Sequence, residues 1–267
     1  MKKEPRRMDT PWKHYMEPFK IKGNLYFVGC WAASSHLLDT KDGLVLIDTG
    51  YPQNLYLLIY SIHKLGFDVK DIKHIVHSHG HYDHCGATKA LVELTGAKTY
   101  IGRGDEQYVD GTLDLTWAKE LGYRDYYEEF TADVIMEDGD VLDFGDTKIE
   151  IVSTPGHTPG TVSMFFEVTE DGKTYKVATH GGVGVNTMSA DFLNKHGMSF
   201  ECREKFIAAI DRIKDRHVDI FIGNHVWNND ADGRYERAAA GDGDAFVNAE
   251  SWKTFLEECV QTVRDLE

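Results

Sequence analysis

The segment at residues 77–84 constrains this chain most, because it holds four histidines and one aspartate within eight residues. Imidazole is the commonest metal ligand, and a carboxylate beside it suits a divalent ion such as zinc, manganese or iron. His79 and His81 lie two residues apart and point to the same side of an extended segment, whereas Asp83 and His84 fall where a helix should begin. A loop that is merely solvated needs no such spacing. The segment therefore predicts one loop that reaches two metal ions.

Composition limits the partners of the chain. Its 44 acidic and 29 basic residues give a formal charge of −15, which disfavours nucleic acid, anionic membranes and polyanionic substrates. No segment approaches the roughly 18 apolar residues of a membrane helix, and no apolar stretch follows the basic opening at residues 1–7 as it would in a signal peptide. We therefore expect a cytoplasmic protein that acts on a small molecule, or a periplasmic or secreted one if an export signal was removed. The oligomeric state is left open.

The cysteines form no recognisable metal or redox motif. Cys30, Cys85, Cys202 and Cys259 have no short paired spacing, which excludes a CxxC knuckle. A disulfide between Cys202 and Cys259 is left open, although a reducing compartment disfavours it.

Alternating strand and helix patterns predict an α/β fold. Residues 23–48 have the pattern of a strand meander, and residues 52–65 have apolar positions at helical spacing. The next strand, residues 71–76, ends at the histidine-rich segment, and open α/β sheets place their sites at that end of a strand. We expect an N-terminal extension at residues 1–22 and a single domain at residues 23–267.

The second half of the chain repeats this organisation. Runs within residues 134–152 predict a second meander of strands, and the polar loop after it contains His157. A buried strand at residues 218–222 is followed directly by His225. The helices predicted in this half cover residues 202–213 and 248–266. Both histidines thus share the position of the first cluster, at the end of a strand.

Six side chains are therefore candidate metal ligands, namely His79, His81, Asp83, His84, His157 and His225. Three per metal is the number expected for catalytic zinc, which keeps one position open for water. The role of His180 is left open. The histidines predicted to be structural or to support the ligands are His36, His74 and His77. Those predicted to be surface or core residues are His14, His63, His196 and His217.

The run from His79 to His84, preceded by residues 46–50 (LIDTG) and followed by residues 154–160 (TPGHTPG), resembles the metallo-β-lactamase superfamily. The resemblance extends over residues 25–225, most of the chain. It implies a four-layer αββα sandwich of the α/β (α+β) class, with two mixed sheets flanked by helices. It also implies a dinuclear zinc site at one edge between the sheets, with manganese or iron as other possible ions.

The resemblance further assigns the ligands to two ions. His79, His81 and His157 would hold the first zinc ion, and Asp83, His84 and His225 would hold the second. Many hydrolases of the superfamily place a bridging aspartate in the segment that corresponds to residues 177–183, and the first subclass of β-lactamases places a cysteine there. This chain has neither. It is therefore similar to the third subclass, in which aspartate and two histidines hold the second zinc.

The substrate-binding residues depart from that subclass. Its members commonly offer serine hydroxyls to the carboxylate of the substrate, whereas this chain has Gly181, Gly182 and Gly184 in that region. Thr187 and Ser189 are predicted to replace those serines. The other residues predicted to bind substrate are Tyr82, Asn224 and Trp227.

The resemblance implies a hydrolase in which a hydroxide held by the metal ions attacks the carbonyl of a cyclic amide (a β-lactam) or a related acyl substrate. Asp83 is the candidate catalytic residue, because its carboxylate can accept a hydrogen bond or a proton from that hydroxide. Asp48 is predicted either to fix the ring of a ligand histidine or to cap a turn. Two alternatives remain open: a hydrolase of a lactone or thioester with little or no β-lactamase activity, and a metal-binding protein without catalysis.

Overall fold

The computed structural model describes residues 8–266. Residues 1–7 and 267, and with them the basic opening of the predicted extension, lie outside the described residues. Two β-sheets form the centre of the structure. The first has seven strands in chain order, β1 (Phe19–Lys22), β2 (Leu25–Phe27), β3 (His36–Thr40), β4 (Gly43–Ile47), β5 (Ile72–Val76), β6 (Lys98–Gly102) and β7 (Val134–Met136). The second has five, β8 (Val141–Asp143), β9 (Lys148–Ser153), β10 (Val162–Glu170), β11 (Lys173–His180) and β12 (Ile220–Phe221), in the order β12-β11-β10-β9-β8.

Helices flank both sheets. They are α1 (Leu55–Lys64), α2 (Tyr82–Cys85), α3 (Thr88–Thr95), α4 (Glu106–Val109), α5 (Ala190–His196), α6 (Glu201–Ile213), α7 (Ala231–Ala239) and α8 (Ala249–Arg264). Short 3₁₀ turns cover Pro11–His14, Pro52–Asn54, Val69–Asp71, Arg124–Tyr126, Asn186–Met188 and Val226–Asn228. Within residues 8–266, no helix combines the length and the apolar character that crossing a bilayer requires.

Burial explains why the elements stack in four layers. Alternate residues of each strand point to opposite faces, and Val45 of the first sheet and Met164 of the second are fully buried in one cluster between the sheets. On the outer face of the first sheet, α1 and α3 bury apolar residues such as Ile62 against the strands. On the outer face of the second, α6 and α8 do the same, with Phe206 and Trp252 at 0% exposure. The predicted αββα sandwich with two mixed sheets is thereby confirmed.

Two strands differ from the pattern-based expectation. β7 was expected in the second meander, but it pairs in parallel with β6 of the first sheet, and the chain enters the second sheet only after the turn at residues 138–139. A three-residue strand carries too little pattern to identify its partner, which is why that prediction was wrong. β1, residues 19–22, pairs antiparallel with β2, so this sheet begins before residue 23. The division into an extension and one domain stays a prediction.

Cys202 and Cys259 are both free thiols.

Four strands end at the same edge of the sandwich. β4 and β5 run in parallel with Ile47 opposite Val76, so the segments that follow them start side by side. β9 ends at Ser153 and β12 at Phe221, shortly before the loops that contain His157 and His225. The fold thus collects the ends of strands from both sheets where the histidine-rich segment lies.

Candidate metal centre

The first group of candidate ligands consists of three buried histidines. The ligand atoms that His79, His81 and His157 offer all lie within 4.8 Å of one another. Nε2 of His79 is 3.1 Å from Nδ1 of His81. Two nitrogens that each lie about 2.0–2.1 Å from one tetrahedral zinc ion are about 3.3 Å apart. The spacing in this group therefore suits a shared ion.

The second group surrounds the carboxylate of Asp83. Its Oδ2 lies 3.5 Å from Nε2 of His84 and 3.7 Å from Nε2 of His225. Nε2 of His84 is buried and has no hydrogen-bond partner. An unsatisfied polar atom in the interior is costly, and a metal ion would satisfy this one. All six predicted ligands are thus brought together, and imidazole and carboxylate atoms suit divalent metal ions.

The outward-facing nitrogens of three of these histidines donate hydrogen bonds to the protein. The pairs are His84 Nδ1 with Asp48 Oδ2 at 2.9 Å, His157 Nδ1 with the carbonyl of Gly184 at 2.6 Å, and His225 Nδ1 with the carbonyl of Ala32 at 2.9 Å. Each bond fixes the tautomer and turns Nε2 of the ring toward the other candidate ligands. Asp48 has a left-handed backbone, with φ 60°, and also accepts bonds from the amide and hydroxyl of Ser78, both at 2.7 Å.

Electrostatics favour the metal-binding protonation states of most of these groups. Burial holds the pKa of His79 and His81 well below the usual value and lowers that of His157 to about 4, so these rings are neutral. Burial alone would raise the pKa of Asp83, but the neighbouring histidines, chiefly His84, hold it well below its usual range. Burial would likewise lower the pKa of His84, but the carboxylates of Asp83 and Asp48 raise it to about 10. In the absence of a metal, the proton on His84 therefore balances the charge of Asp83.

One buried carboxylate near the site was missed by sequence reasoning. Asp105 is 0% exposed, and it accepts hydrogen bonds from the amide of Gly80, the hydroxyl of Thr158 and the amide of Gly160, each at 2.7 Å. Burial raises its pKa to about 6, and these three bonds oppose that rise. Asp105 thus joins the loop of His79 to the loop that follows β9. The sequence offered one signal for Asp105, namely its position shortly after β6, a strand whose end lies beside the end of β5.

Replacing Asp105 with alanine is expected to lower the metal affinity of the three-histidine group by about ten- to hundredfold, as is typical for groups that support ligands. The reason is that the two ligand loops lose their shared acceptor. Competition with a chromophoric chelator measures the affinity. Asp133→Ala is the matched control. Asp133 accepts hydrogen bonds from the amide and the hydroxyl of Thr99 in β6, and these bonds involve no ligand loop. Equal metal affinity in Asp105→Ala and the wild type would contradict this role.

A cleft of about 420 Å³ opens over the histidines. Asn224 and Trp227, both predicted to bind substrate, line it, as does Trp117, whose ring lies 6.2 Å from that of His81. Trp227 stacks on His225 with ring centroids 4.5 Å apart. A larger groove, of about 620 Å³, lies over charged strand residues of the second sheet, and none of the candidate ligands lines it.

Three other residues predicted to bind substrate are not among the described residues that line the cleft. Tyr82 is fully buried and donates its hydroxyl to Gln53. Thr187 donates its hydroxyl to the carbonyl of His157 at 2.6 Å. Ser189 accepts from the amide of Phe192 and so caps α5. Their contact with substrate stays a prediction.

His180 is buried at the end of β11 and belongs to neither group of candidate ligands among the described residues. Its Nδ1 accepts a bond from the amide of Gly182, and its ring lies 5.7 Å from that of Phe206.

Comparison with solved structures shows the same fold in known enzymes. FEZ-1, a metallo-beta-lactamase from Legionella gormanii, has a TM-score of 0.86 and 28% identity, with 94% of this chain and 95% of that chain covered. BJP-1, a subclass B3 metallo-beta-lactamase of Bradyrhizobium japonicum, has a TM-score of 0.81 and 25% identity, with 95% and 94% covered.

Comparison with known sequences agrees with the comparison of structures. The profile of the metallo-beta-lactamase superfamily matches residues 28–170. The probable metallo-hydrolase YflN of Bacillus subtilis is 29% identical over 155 residues, which are 53% of this chain and 55% of that protein. An N-acyl homoserine lactonase of Bacillus cereus is 25% identical over 176 residues, 56% of this chain and 63% of that protein. The chain thus matches less than two thirds of the length of these relatives.

Proposed function

Because the chain belongs to the metallo-β-lactamase superfamily, we propose that it is a dinuclear zinc hydrolase that opens a cyclic amide or a related acyl substrate. The observation that carries this proposal is the convergence of six candidate ligands, in two groups, beneath an open cleft. His79, His81 and His157 are proposed to hold one ion. Asp83, His84 and His225 are proposed to hold the other, and manganese or iron could take the place of zinc.

When bound, divalent ions would polarise the substrate carbonyl and make a water nucleophilic near neutral pH. The protein needs no nucleophile of its own. Asp83 faces the cleft and stays ionised, so its carboxylate can orient the attacking water and accept its proton. Asp48 holds the ring of His84 through Nδ1 and thereby keeps Nε2 directed at Asp83. Asn224, which lines the cleft and donates its amide to the carbonyl of Gly181, is proposed to position the substrate.

A lactone is the second candidate substrate. Its support is the presence of Gly181, Gly182 and Gly184 where hydroxyls that bind a carboxylate would be expected. The similarity to a relative named as an N-acyl homoserine lactonase also supports a lactone substrate.

A cytoplasmic location stays a prediction, and cell fractionation would test it.

Metal reconstitution tests the proposed function. The protein is stripped with a chelator and reloaded with zinc, manganese or iron. The number of metal ions per chain is then measured. Turnover is assayed on the same samples with a chromogenic cephalosporin, a carbapenem, an N-acyl homoserine lactone and a thioester. We expect two ions per chain and turnover of a cyclic substrate that the chelator abolishes. A fully loaded protein that is inert to all four substrates, or a stripped protein that is equally active, would overturn the proposal.

The variant His225→Ala tests the ligand assignment in the same experiment. The variant loses a proposed ligand of the second ion and keeps the three-histidine group, so we expect one retained ion and turnover lowered by about hundredfold or more. His217→Ala is the matched control, because His217 is exposed and pairs with Asp219 at the surface. Two tightly bound ions in His225→Ala would contradict the ligand assignment.

A further inference from the structure

His77 is fully buried beside the candidate ligands, but among the described residues it belongs to neither group of them. Both of its ring nitrogens make hydrogen bonds, one with the carbonyl of Tyr100 at 2.8 Å and one with the hydroxyl of Thr88 at 2.7 Å. We propose that His77 is a positioning residue: through two threonine hydroxyls, it holds the segment of His84, a proposed ligand of the second ion. This inference rests on the proposed dinuclear site and identifies residues that keep its second half in place.

The acceptor at one side of the His77 ring sets the direction of its hydrogen bonds. A carbonyl oxygen can only accept, so Nδ1 of His77 carries the proton and donates it to Tyr100. Burial lowers the pKa of this imidazole, so the ring is neutral and Nε2 has a free lone pair. Thr88 must therefore donate its hydroxyl proton to Nε2. The ring packs on Phe130, with centroids 5.3 Å apart, and this contact helps to keep its orientation.

The second threonine of the network is Thr49. Because the one proton of the Thr88 hydroxyl is used, its oxygen accepts from the hydroxyl of Thr49, at 3.1 Å. That hydroxyl also lies 3.2 Å from the carbonyl oxygen of His84, so its proton is shared between two acceptors. The same carbonyl accepts from the amide of Thr49 at 2.7 Å. His77 and these three residues are at most 1% exposed, so bulk water does not compete for the bonds.

The network acts on the proposed second ion through the turn at residues 48–49. Asp48, directly before Thr49, accepts a hydrogen bond from Nδ1 of His84 at 2.9 Å. Its left-handed backbone, with φ 60°, costs free energy and persists only where the surrounding structure holds it. The bonds between Thr49 and the backbone of His84 supply part of that hold. Without the network, Asp48 and the ring of His84 would lose their fixed direction, whereas none of these bonds involves the three-histidine group.

Two substitutions of Thr88 separate hydrogen bonding from packing. Thr88→Val keeps the shape and removes the hydroxyl, whereas Thr88→Ser keeps the hydroxyl and removes a methyl group. We expect Thr88→Val to lower the affinity for the second ion by about tenfold or more, and Thr88→Ser to bind it as the wild type does. Calorimetric titration of the stripped proteins with zinc measures both affinities. The variant His225→Ala, which lacks a proposed ligand of the second ion, identifies which binding event belongs to that ion.

A double-variant cycle tests whether His77 and Thr88 act as one unit. His77→Phe keeps a planar ring and removes both hydrogen bonds, so it should also weaken the second ion by about tenfold or more. The double variant should then lose little more than the weaker-binding single variant, because both changes break the same network. Thr40→Val is the matched control: Thr40 is a buried threonine whose hydroxyl donates to Gly43, at the end of β4 away from the ligands.

NMR of the stripped protein with ¹⁵N-labelled histidine reads the direction of the network without a metal. We expect His77 in the Nδ1–H tautomer, and an Nε2–H tautomer would overturn the inference. Wild-type affinity for the second ion in Thr88→Val would overturn it as well. An equal loss in Thr88→Val and Thr88→Ser would do the same, because it would assign the effect to packing.

The binding measurements separate this inference from the proposed function. Selective weakening of the second ion in Thr88→Val, in a protein that turns over no substrate, would support the network and contradict the hydrolase. Turnover that requires two ions, with an unchanged second ion in Thr88→Val, would support the hydrolase and contradict the network.

Discussion

Replacing Asp83 with alanine is expected to lower kcat/KM by about 10²- to 10⁴-fold, the range for loss of a positioned proton acceptor. Asp83 supplies the only carboxylate among the described residues that line the cleft. Its Oδ2 also lies within 3.7 Å of both His84 and His225, so the variant loses a proposed ligand of the second ion. We therefore expect metal content to fall from two ions per chain to one. Steady-state kinetics and metal analysis of the same sample measure both effects.

Two further variants define the cause of that loss. Asp232→Ala is the control, because Asp232 is also an acidic residue in the first turn of a helix, α7, and is exposed. It removes the favourable charge at a helix N-terminus without touching the site. Asp83→Asn keeps the shape and removes the charge, so we expect turnover close to that of Asp83→Ala. Turnover within twofold of the wild type in Asp83→Ala would show that this carboxylate takes no part in the reaction.

The convergence of the candidate ligands could be predicted from the residues for one physical reason, whereas the layered sandwich was implied by the resemblance to a known family. Each ligand segment follows a buried strand, and parallel neighbours such as β4 and β5 end at the same edge. His157 and His225 could thus be grouped with His79 although they lie 78 and 146 residues further along the chain.

Contacts between loops could not be predicted in this way. Asp105 acquires its role only because the loop of Gly80 lies beside the loop of Thr158, and no spacing in the chain encodes that contact. The direction of Thr187, toward the backbone of His157 and not into the cleft, depends on the turn at Asn186–Met188. The left-handed backbone of Trp117 is likewise set by tertiary contacts, because a bulky side chain does not favour it.

Replacing Gly182 with alanine is expected to displace His157 and to lower the metal affinity of the three-histidine group by at least about ten- to hundredfold. A Cβ at this position would lie 3.0 Å from Cγ of His157 and closer still to its Cδ2. The ring cannot retreat freely, because its Nδ1 is bonded to the carbonyl of Gly184 and its own carbonyl accepts the hydroxyl of Thr187, both at 2.6 Å. The added methyl group must therefore break one of these bonds or turn Nε2 away from His79 and His81.

The same geometry explains the absence of a hydroxyl or carboxylate at residue 182, since any side chain there would occupy the space of the third proposed ligand. Gly243→Ala is the matched control, because its backbone has no positive φ and a Cβ there would meet nothing within 4 Å. Chelator competition gives the metal affinity of both variants, and thermal unfolding of the stripped proteins shows whether Gly182→Ala is destabilised generally. Unchanged affinity in Gly182→Ala would mean that His157 can move aside and still bind, or that it is no ligand. Loss of affinity with an unchanged melting temperature would assign the effect to the position of this ring alone.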